Sequence, residues 1–307
     1  MTSKNEMVRV TFEDAKTRPN LDFVLPGLLA GTVGLMPGHG AIGKSMLSAQ
    51  IGVGVALGRT IAGGLWGAPK PGQTLLLFGE DPPEILQERM YWIREAEQLT
   101  HKEVQDLDAS MAVRCGIGHD LSILRKTRDG VFTSDFFNDL REMCGGKRLV
   151  ILDPLSFLAI ELDENNNGEM ARLMRGLTHI SDSTKTAILL LHHCTKPSIS
   201  GGKDALTNWT VARGASALTN NARWQANLSG ATGEECKHYG IDLELQHKWV
   251  KLEQVKVNYG PRAEPSWLRR VEGGAFQFVE MRPQSATDKA QREKVKEKKV
   301  EATHDKW

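Results

Sequence analysis

The sequence predicts an α/β protein with a mostly parallel central sheet, helices on both faces, and antiparallel strands added at one edge. Three observations predict it. Four short runs, residues 32–36 (TVGLM), 73–78 (QTLLLF), 148–152 (RLVIL) and 186–191 (TAILLL), are continuously or almost continuously apolar. That is the pattern of strands buried on both faces, as in a parallel sheet. Segments of helical composition, 44–57, 84–99, 135–144 and 168–181, alternate with these runs, as parallel strands joined by crossover helices require. Later runs at 222–229, 250–258 and 275–279 are shorter, more polar and separated by turns, which predicts antiparallel strands at the sheet edge.

Residues 1–20 are polar and predict an arm or a first strand. The run at 32–36 is bounded by glycines and leads through a glycine-rich turn into the helix at 44–57. The strand at 73–78 ends in Gly79-Glu80-Asp81-Pro82-Pro83, where the two prolines stop further sheet pairing. Residues 112–115 predict a short strand. The helix at 135–144 stops at Gly145-Gly146. From Gln284 onward apolar residues nearly vanish and Lys, Arg and Glu dominate, which predicts a solvated helix or a flexible tail. The expected organisation is an arm over 1–20, one domain over 21–282 and a charged tail over 283–307.

Composition narrows the functional classes. In 307 residues, 39 Lys and Arg face 38 Asp and Glu, so a uniformly basic nucleic-acid binder is excluded while a local basic groove is not. No run of about 20 apolar residues is present, so no membrane-spanning helix is expected. The N-terminal segment lacks the apolar stretch of a secretory leader. Cys115, Cys144, Cys194 and Cys236 are far apart and form no metal-ligand spacing. Reduced thiols and a cytoplasmic chain are therefore expected.

The strongest motif is Gly38-His39-Gly40-Ala41-Ile42-Gly43-Lys44-Ser45, which fits GxxxxGK[ST] between a strand and a helix. Backbone N–H groups from Gly38, Gly40, Ala41, Ile42 and Gly43 can converge on phosphate oxygens there, aided by the helix N-terminus. Lys44 would neutralise the β- and γ-phosphates of ATP, and the Ser45 hydroxyl would hold Mg²⁺. Asp153, at the end of its strand, has the position of a second carboxylate on the Mg²⁺ side. Glu80, at the tip of the strand before it, is the expected base near an attacking water, with Asp81 as competitor. At the end of the 186–191 run, His193 is preferred to His192 as the residue facing the nucleotide, since neighbours on a strand point to opposite faces.

A single core of this kind usually borrows an arginine, in cis or in trans. Arg213, Arg223 and Lys256 are the candidates; surface salt bridging is the alternative for each. The glycine- and serine-rich segment 194–210 carries Lys196 and Lys203. These two, with Arg213 beyond them, are expected to contact a phosphodiester backbone. The segment 154–167 is acidic at Glu161, Asp163 and Glu164 and predicts a subunit contact rather than a phosphate contact.

The phosphate loop, FGEDPP, RLVILDPL, LLLHH, ARGAS, NARWQ and VKVNYG, in this order, resemble the RecA-type hexameric replicative helicases of the RepA kind from IncQ broad-host-range plasmids. The resemblance covers roughly residues 20–275. It implies a RecA-like P-loop ATPase core. It implies that Lys44 and Ser45 bind nucleotide and Mg²⁺, that Glu80 is catalytic, that Asp153 is the Walker B acid and that His193 is a sensor. Arg223 becomes an arginine finger donated to the next subunit. The implied activity is ATP-driven 5′→3′ unwinding by a homohexamer on single-stranded and forked DNA, in plasmid or mobile-element replication. A replication initiator or primase is the implied further partner. Two departures stand out: 154–168 lacks the paired arginines found there in the family, and the tail is longer and more charged. The competing expectations are a RecA-like ATP- and DNA-binding scaffold that does not unwind, and a small-molecule kinase.

Overall fold

In the computed structural model, residues 7–67, 69–194 and 216–283 are described. The chain opens with a ribbon of β1 (Phe23–Leu25) and β2 (Leu28–Leu29), then β3 (Val33–Gly38) and α1 (Lys44–Leu57). Next come β4 (Thr74–Phe78), α2 (Pro83–Glu97), α3 (His101–Ser110) and β5 (Met111–Cys115). A hairpin of β6 (Leu124–Thr127) and β7 (Gly130–Thr133) precedes α4 (Asp135–Cys144), β8 (Leu149–Asp153), α5 (Asn167–Thr184) and β9 (Ala187–His193). The last part holds α6 (Ser216–Asn221), β10 (Trp224–Gly230), α7 (Gly233–Tyr239), β11 (Trp249–Val257), β12 (Ser266–Arg270) and β13 (Phe276–Val279).

The main sheet has the strand order β13-β12-β11-β10-β3-β9-β8-β4-β5. The strands from β10 to β5 run parallel, and β11, β12 and β13 extend one edge antiparallel. The expected mixed sheet is therefore present. Successive residues alternate between two cores. Leu76, Phe78, Ile151, Leu189 and Leu191 pack on the α1 side, while Leu75, Leu77, Val150, Leu152, Ile188 and Leu190 pack on the α4–α5 side. Each such leucine contributes about 2 kcal/mol by leaving water. Covering both faces is why these strands read as unbroken apolar runs. Helix α1 lies close to the sheet at Gly52, where an added Cβ would come within 2.8 Å of Leu76.

The expectation for 222–229 needs correction. β10 is not an antiparallel edge strand. It pairs parallel with β3, Trp224 opposite Gly34 and Leu228 opposite Gly38, and it lies inside the sheet. Its polar residues misled the reading: Gln225, Asn227 and Ser229 are buried, and the Gln225 amide donates to Asn227 Oδ1 at 2.8 Å. That bond offsets part of the cost of burying the two amides. Besides the β1–β2 ribbon, α6 and α7, three larger or better-defined features were not anticipated. These are α3, which begins at a capping box of Thr100 and Glu103, the β6–β7 hairpin, and β12. In the N-terminal segment the described residues hold a single 3₁₀ turn at Asp14–Lys16. Arg148 fixes the end of that segment by donating to both Asp22 carboxylate oxygens, at 2.8 and 2.9 Å.

Candidate nucleotide site

The site lies where the parallel strands end, the usual position of a ligand in such sheets. Four adjacent strands deliver its residues. β3 ends at Gly38 and opens the glycine loop, β9 ends at His193 beside it, β8 ends at Asp153, and β4 leads into Gly79-Glu80. The tips are tied together: Gly79 N–H donates to Asp153 O at 2.8 Å and Cys194 N–H to Gly38 O at 3.2 Å.

The loop requires glycine at 43. Its φ is +94°, and a Cβ there would meet the Phe276 ring at 2.6 Å. Lys44 is buried at 4% exposure. Its ammonium donates to Gly38 O at 2.9 Å, His39 O at 3.1 Å and His193 Nδ1 at 3.2 Å. An ammonium has three protons, so the protein occupies all of them. Burial draws Lys44 below the usual lysine range, opposed by Asp153, Cys194 and Glu80.

His193, not His192, faces this lysine; His192 is buried at the strand's other face. Burial and then Lys44 draw His193 below the ordinary imidazole value. With Nδ1 accepting from Lys44, the ring proton sits on Nε2. That nitrogen lies 3.8 Å from Glu80 Oε2. Lys44, His193 and Glu80 thus form one polar chain across the strand tips. Asp81 is committed elsewhere, in a 2.8 Å ion pair with Arg89.

Asp153 is buried, and burial pushes its carboxyl up to about 6 against the opposing effects of a hydrogen bond with Ser45 and of Arg89 and Lys44. Asp153 Oδ2 has no hydrogen-bond partner. A buried carboxylate with an open oxygen, next to a serine hydroxyl at a helix start, is an oxygen donor set that fits Mg²⁺. Among the described residues no group of three or more His, Cys, Asp and Glu forms a separate metal site.

The three expected cations separate. Arg223 is exposed at the start of β10. Because β10 runs parallel to β3, Arg223 lies opposite Val33, at the other end of the strand from Gly38, about 16 Å along the strand direction by strand rise. It is not part of the site in its own chain. Nor is it near the sheet edge, as its sequence position suggested. Lys256 is occupied, donating to Thr219 O at 2.7 Å and Asn220 O at 3.1 Å at the end of α6. Arg213, Lys196 and Lys203 lie outside the described residues. The acidic segment after Asp153 meets the β6–β7 hairpin, with Glu161 paired to Arg125 at 2.6 Å, and Glu169 of α5 pairs with Lys126 of the same hairpin at 2.6 Å.

Two cations near the strand tips escaped the sequence reading, one beside the loop and one near Asp153. Arg270 of β12 donates to Ile42 O at 3.0 Å and lies over the Phe276 ring. Arg89 of α2 lies over the Phe78 ring, 5.1 Å from its centroid. A cleft of about 420 Å³ opens next to the loop between His39, Ile42, Gly230, Gln246 and Arg270.

The strand order and the loop define a RecA-like P-loop ATPase domain. The chain belongs to the AAA domain family, whose match spans residues 2–198. Two solved structures share the fold. The ATPase domain of G40P has a TM-score of 0.54 at 12% identity, covering 82% of this chain and 86% of that one. A DnaB-like replicative helicase, described with its interactions with primase, has a TM-score of 0.59 at 12% identity, covering 88% of this chain and 66% of that one. At such identity the likeness is one of fold. No helix among the described residues is long and apolar enough to cross a membrane.

Proposed function

We propose that this chain hydrolyses ATP at the strand-tip site. As a ring of six copies, it couples hydrolysis to 5′→3′ unwinding of DNA in plasmid or mobile-element replication. The observation that carries the reading is the chain Lys44–His193–Glu80 across the phosphate loop. Its lysine, imidazole and carboxylate lie in contact order beside the loop, which supports their reading as phosphate-binding cation, sensor and base. The fold shared with helicase domains, and the ordered motifs shared with replicative helicases, support the coupling to DNA.

In this reading the loop N–H groups and Lys44 hold the β- and γ-phosphates, and Lys44 exchanges its contacts with loop carbonyls for phosphate oxygens. Glu80 accepts a proton from the water that attacks the γ-phosphorus. His193 registers whether the γ-phosphate is present, through its contacts with Lys44 and Glu80. Ser45, with Asp153 behind it, would hold Mg²⁺, which when bound neutralises charge on the phosphates. Arg223, remote from its own loop, serves the site of a neighbouring copy. Lys196, Lys203 and Arg213 contact single-stranded DNA. The likeness to a helicase described with primase supports a primase or replication initiator as a further partner.

The test is strand displacement on a 5′-tailed duplex with ATP. Displacement that requires hydrolysis supports the reading. ATPase activity stimulated by single strands without displacement would make the protein a RecA-like scaffold instead. Phosphate transfer to a metabolite by a monomer would make it a kinase.

A further inference from the structure

The phosphate loop has two flanks, and the chemistry described above uses one of them. His193, Asp153 and Glu80 stand at the tips of β9, β8 and β4, all on one side of β3. On the other side, β10 and β12 end beside the same loop. Leu228 of β10 pairs with Gly38, and β12 runs parallel to β10 because each is antiparallel to β11 between them. Gly230, the last residue of β10, and Arg270, the last of β12, both border the cleft of about 420 Å³ next to the loop. Small-molecule sites span about 300–1,000 Å³, so the size suits a nucleoside. A triphosphate whose γ end meets Glu80 must carry its nucleoside on this second flank.

The lining of the cleft differs between its two ends. At the loop, Arg270 donates to Ile42 O at 3.0 Å, so its charge is held where phosphates would bind. Away from the loop, a 3₁₀ turn at Leu243–Lys248 contributes Leu243, Gln246 and His247. Leu243 is 56% exposed and offers an apolar face to a flat ring. Gln246 Nε2 donates to Ala231 O at 2.7 Å. That bond fixes the amide, because a flip would set its oxygen against a carbonyl. Gln246 Oε1 is therefore held as an acceptor. His247 Nδ1 lies 3.0 Å from Glu244 O. A carbonyl only accepts, so Nδ1 carries a proton, and Nε2 of the neutral ring is a second acceptor.

We propose that this cleft holds the nucleoside and that Gln246 determines which base it takes: Oε1 accepts a hydrogen bond from the 6-amino group of adenine. Leu243 lies against the base, and Arg270 serves the phosphate end. The inference rests on the nucleotide reading above and deepens it by naming the base and the residue that selects it. A glutamine amide is a common partner of adenine. Guanine or hypoxanthine in the same pose would set its O6 against Oε1, acceptor to acceptor. The amide could turn to meet it only by giving up Ala231 O. A site built to hydrogen-bond one group rejects an analogue that lacks it, because its own polar atom is left unpaired.

The test is calorimetric binding of ADP, GDP and IDP, each with Mg²⁺, to the full chain. The wild-type protein should bind ADP about tenfold or more tightly than GDP or IDP. Gln246→Leu should bring the three affinities within about threefold of one another. Arg270→Ala should weaken all three alike and leave their ratio unchanged, since it acts on the phosphates they share. The ratio separates base reading from a merely structural role: loss of the Ala231 bond alone would lower every affinity together. The wild-type comparison needs no variant, so the proposal stays testable if Gln246→Leu does not fold. Equal wild-type affinities, tighter binding of GDP or IDP, or a preference for ADP that survives Gln246→Leu would overturn it. In those cases nucleotide still binds and the nucleotide reading stands. Failure of all three to bind would overturn both.

Discussion

Glu80 and Asp81 are adjacent carboxylates in different surroundings, and the proposed function gives the catalytic task to Glu80 alone. The Glu80 side chain is 60% exposed and faces His193 Nε2 at 3.8 Å. Asp81 is 29% exposed and closes a 2.8 Å ion pair with Arg89, itself 13% exposed. Replacing Glu80 by Gln removes the proposed proton acceptor and almost nothing that holds the fold. Loss of a general base costs about 10²–10⁴ in rate, or about 3–5 kcal/mol of barrier. The effect on folding should stay within about 0.5 kcal/mol, as for other exposed positions. Asp81→Asn breaks a partly buried pair, which costs about 1 kcal/mol and lowers the melting temperature by about 2 °C. Its hydrolysis rate should stay within about threefold of wild type, because Asp81 does not face the loop lysine. The assay is single-turnover phosphate release with nucleotide affinity measured in parallel, plus a thermal melt of each variant. If Asp81→Asn abolishes hydrolysis while Glu80→Gln retains it, the assignment is wrong.

Three further outcomes follow from other parts of the structure. Arg270→Ala removes the donor to Ile42 O and uncovers the Phe276 ring. Nucleotide affinity should fall about tenfold, as one charge-assisted hydrogen bond is worth, with little change in the rate at saturation. Cys115, half-buried at the end of β5, should react first with iodoacetamide. Cys144, pushed up to about 12 by burial, and Cys194, pushed up to about 11, should react mainly after unfolding. Glu97 is raised above 4.5, chiefly by burial, despite the Gln50 amide and Arg59. A carboxyl raised in the folded state favours folding most below its unfolded value. That contribution is lost as pH rises through the raised one. The stability of Glu97→Gln relative to wild type should therefore improve on going from pH 4 to pH 7 in urea titrations.

Much of the site was legible because it sits on the most regular part of the fold. The runs ending at Gly38, Phe78, Asp153 and His193 are apolar because both sheet faces are covered, so their ends could be located from sequence. The loop glycines then fixed which tips mattered. What sequence could not show was burial of paired polar groups. Gln225 donates to Asn227 inside β10, and burial of such polar residues hid a parallel interior strand behind the composition of an edge. Arg270 was missed because its importance depends on β12 folding back over a loop more than 220 residues earlier. Arg89 looked like one charge among many on an amphipathic helix; only the tertiary fold sets it over Phe78 and against Asp81. The placement of Lys256 shows the reverse case, a cation attractive in sequence whose ammonium is spent on the carbonyls of Thr219 and Asn220.

The central claim is that each nucleotide site is completed by Arg223 from a neighbouring copy. The most direct measurement mixes Lys44→Ala chains with Arg223→Ala chains and follows ATP hydrolysis. Each variant alone should be inactive. In an equal mixture of head-to-tail rings, about a quarter of the sites would pair an intact lysine with an intact arginine, so activity should return to roughly that fraction of wild type. Mixtures that stay as inactive as their components, although the chains co-assemble, would contradict it.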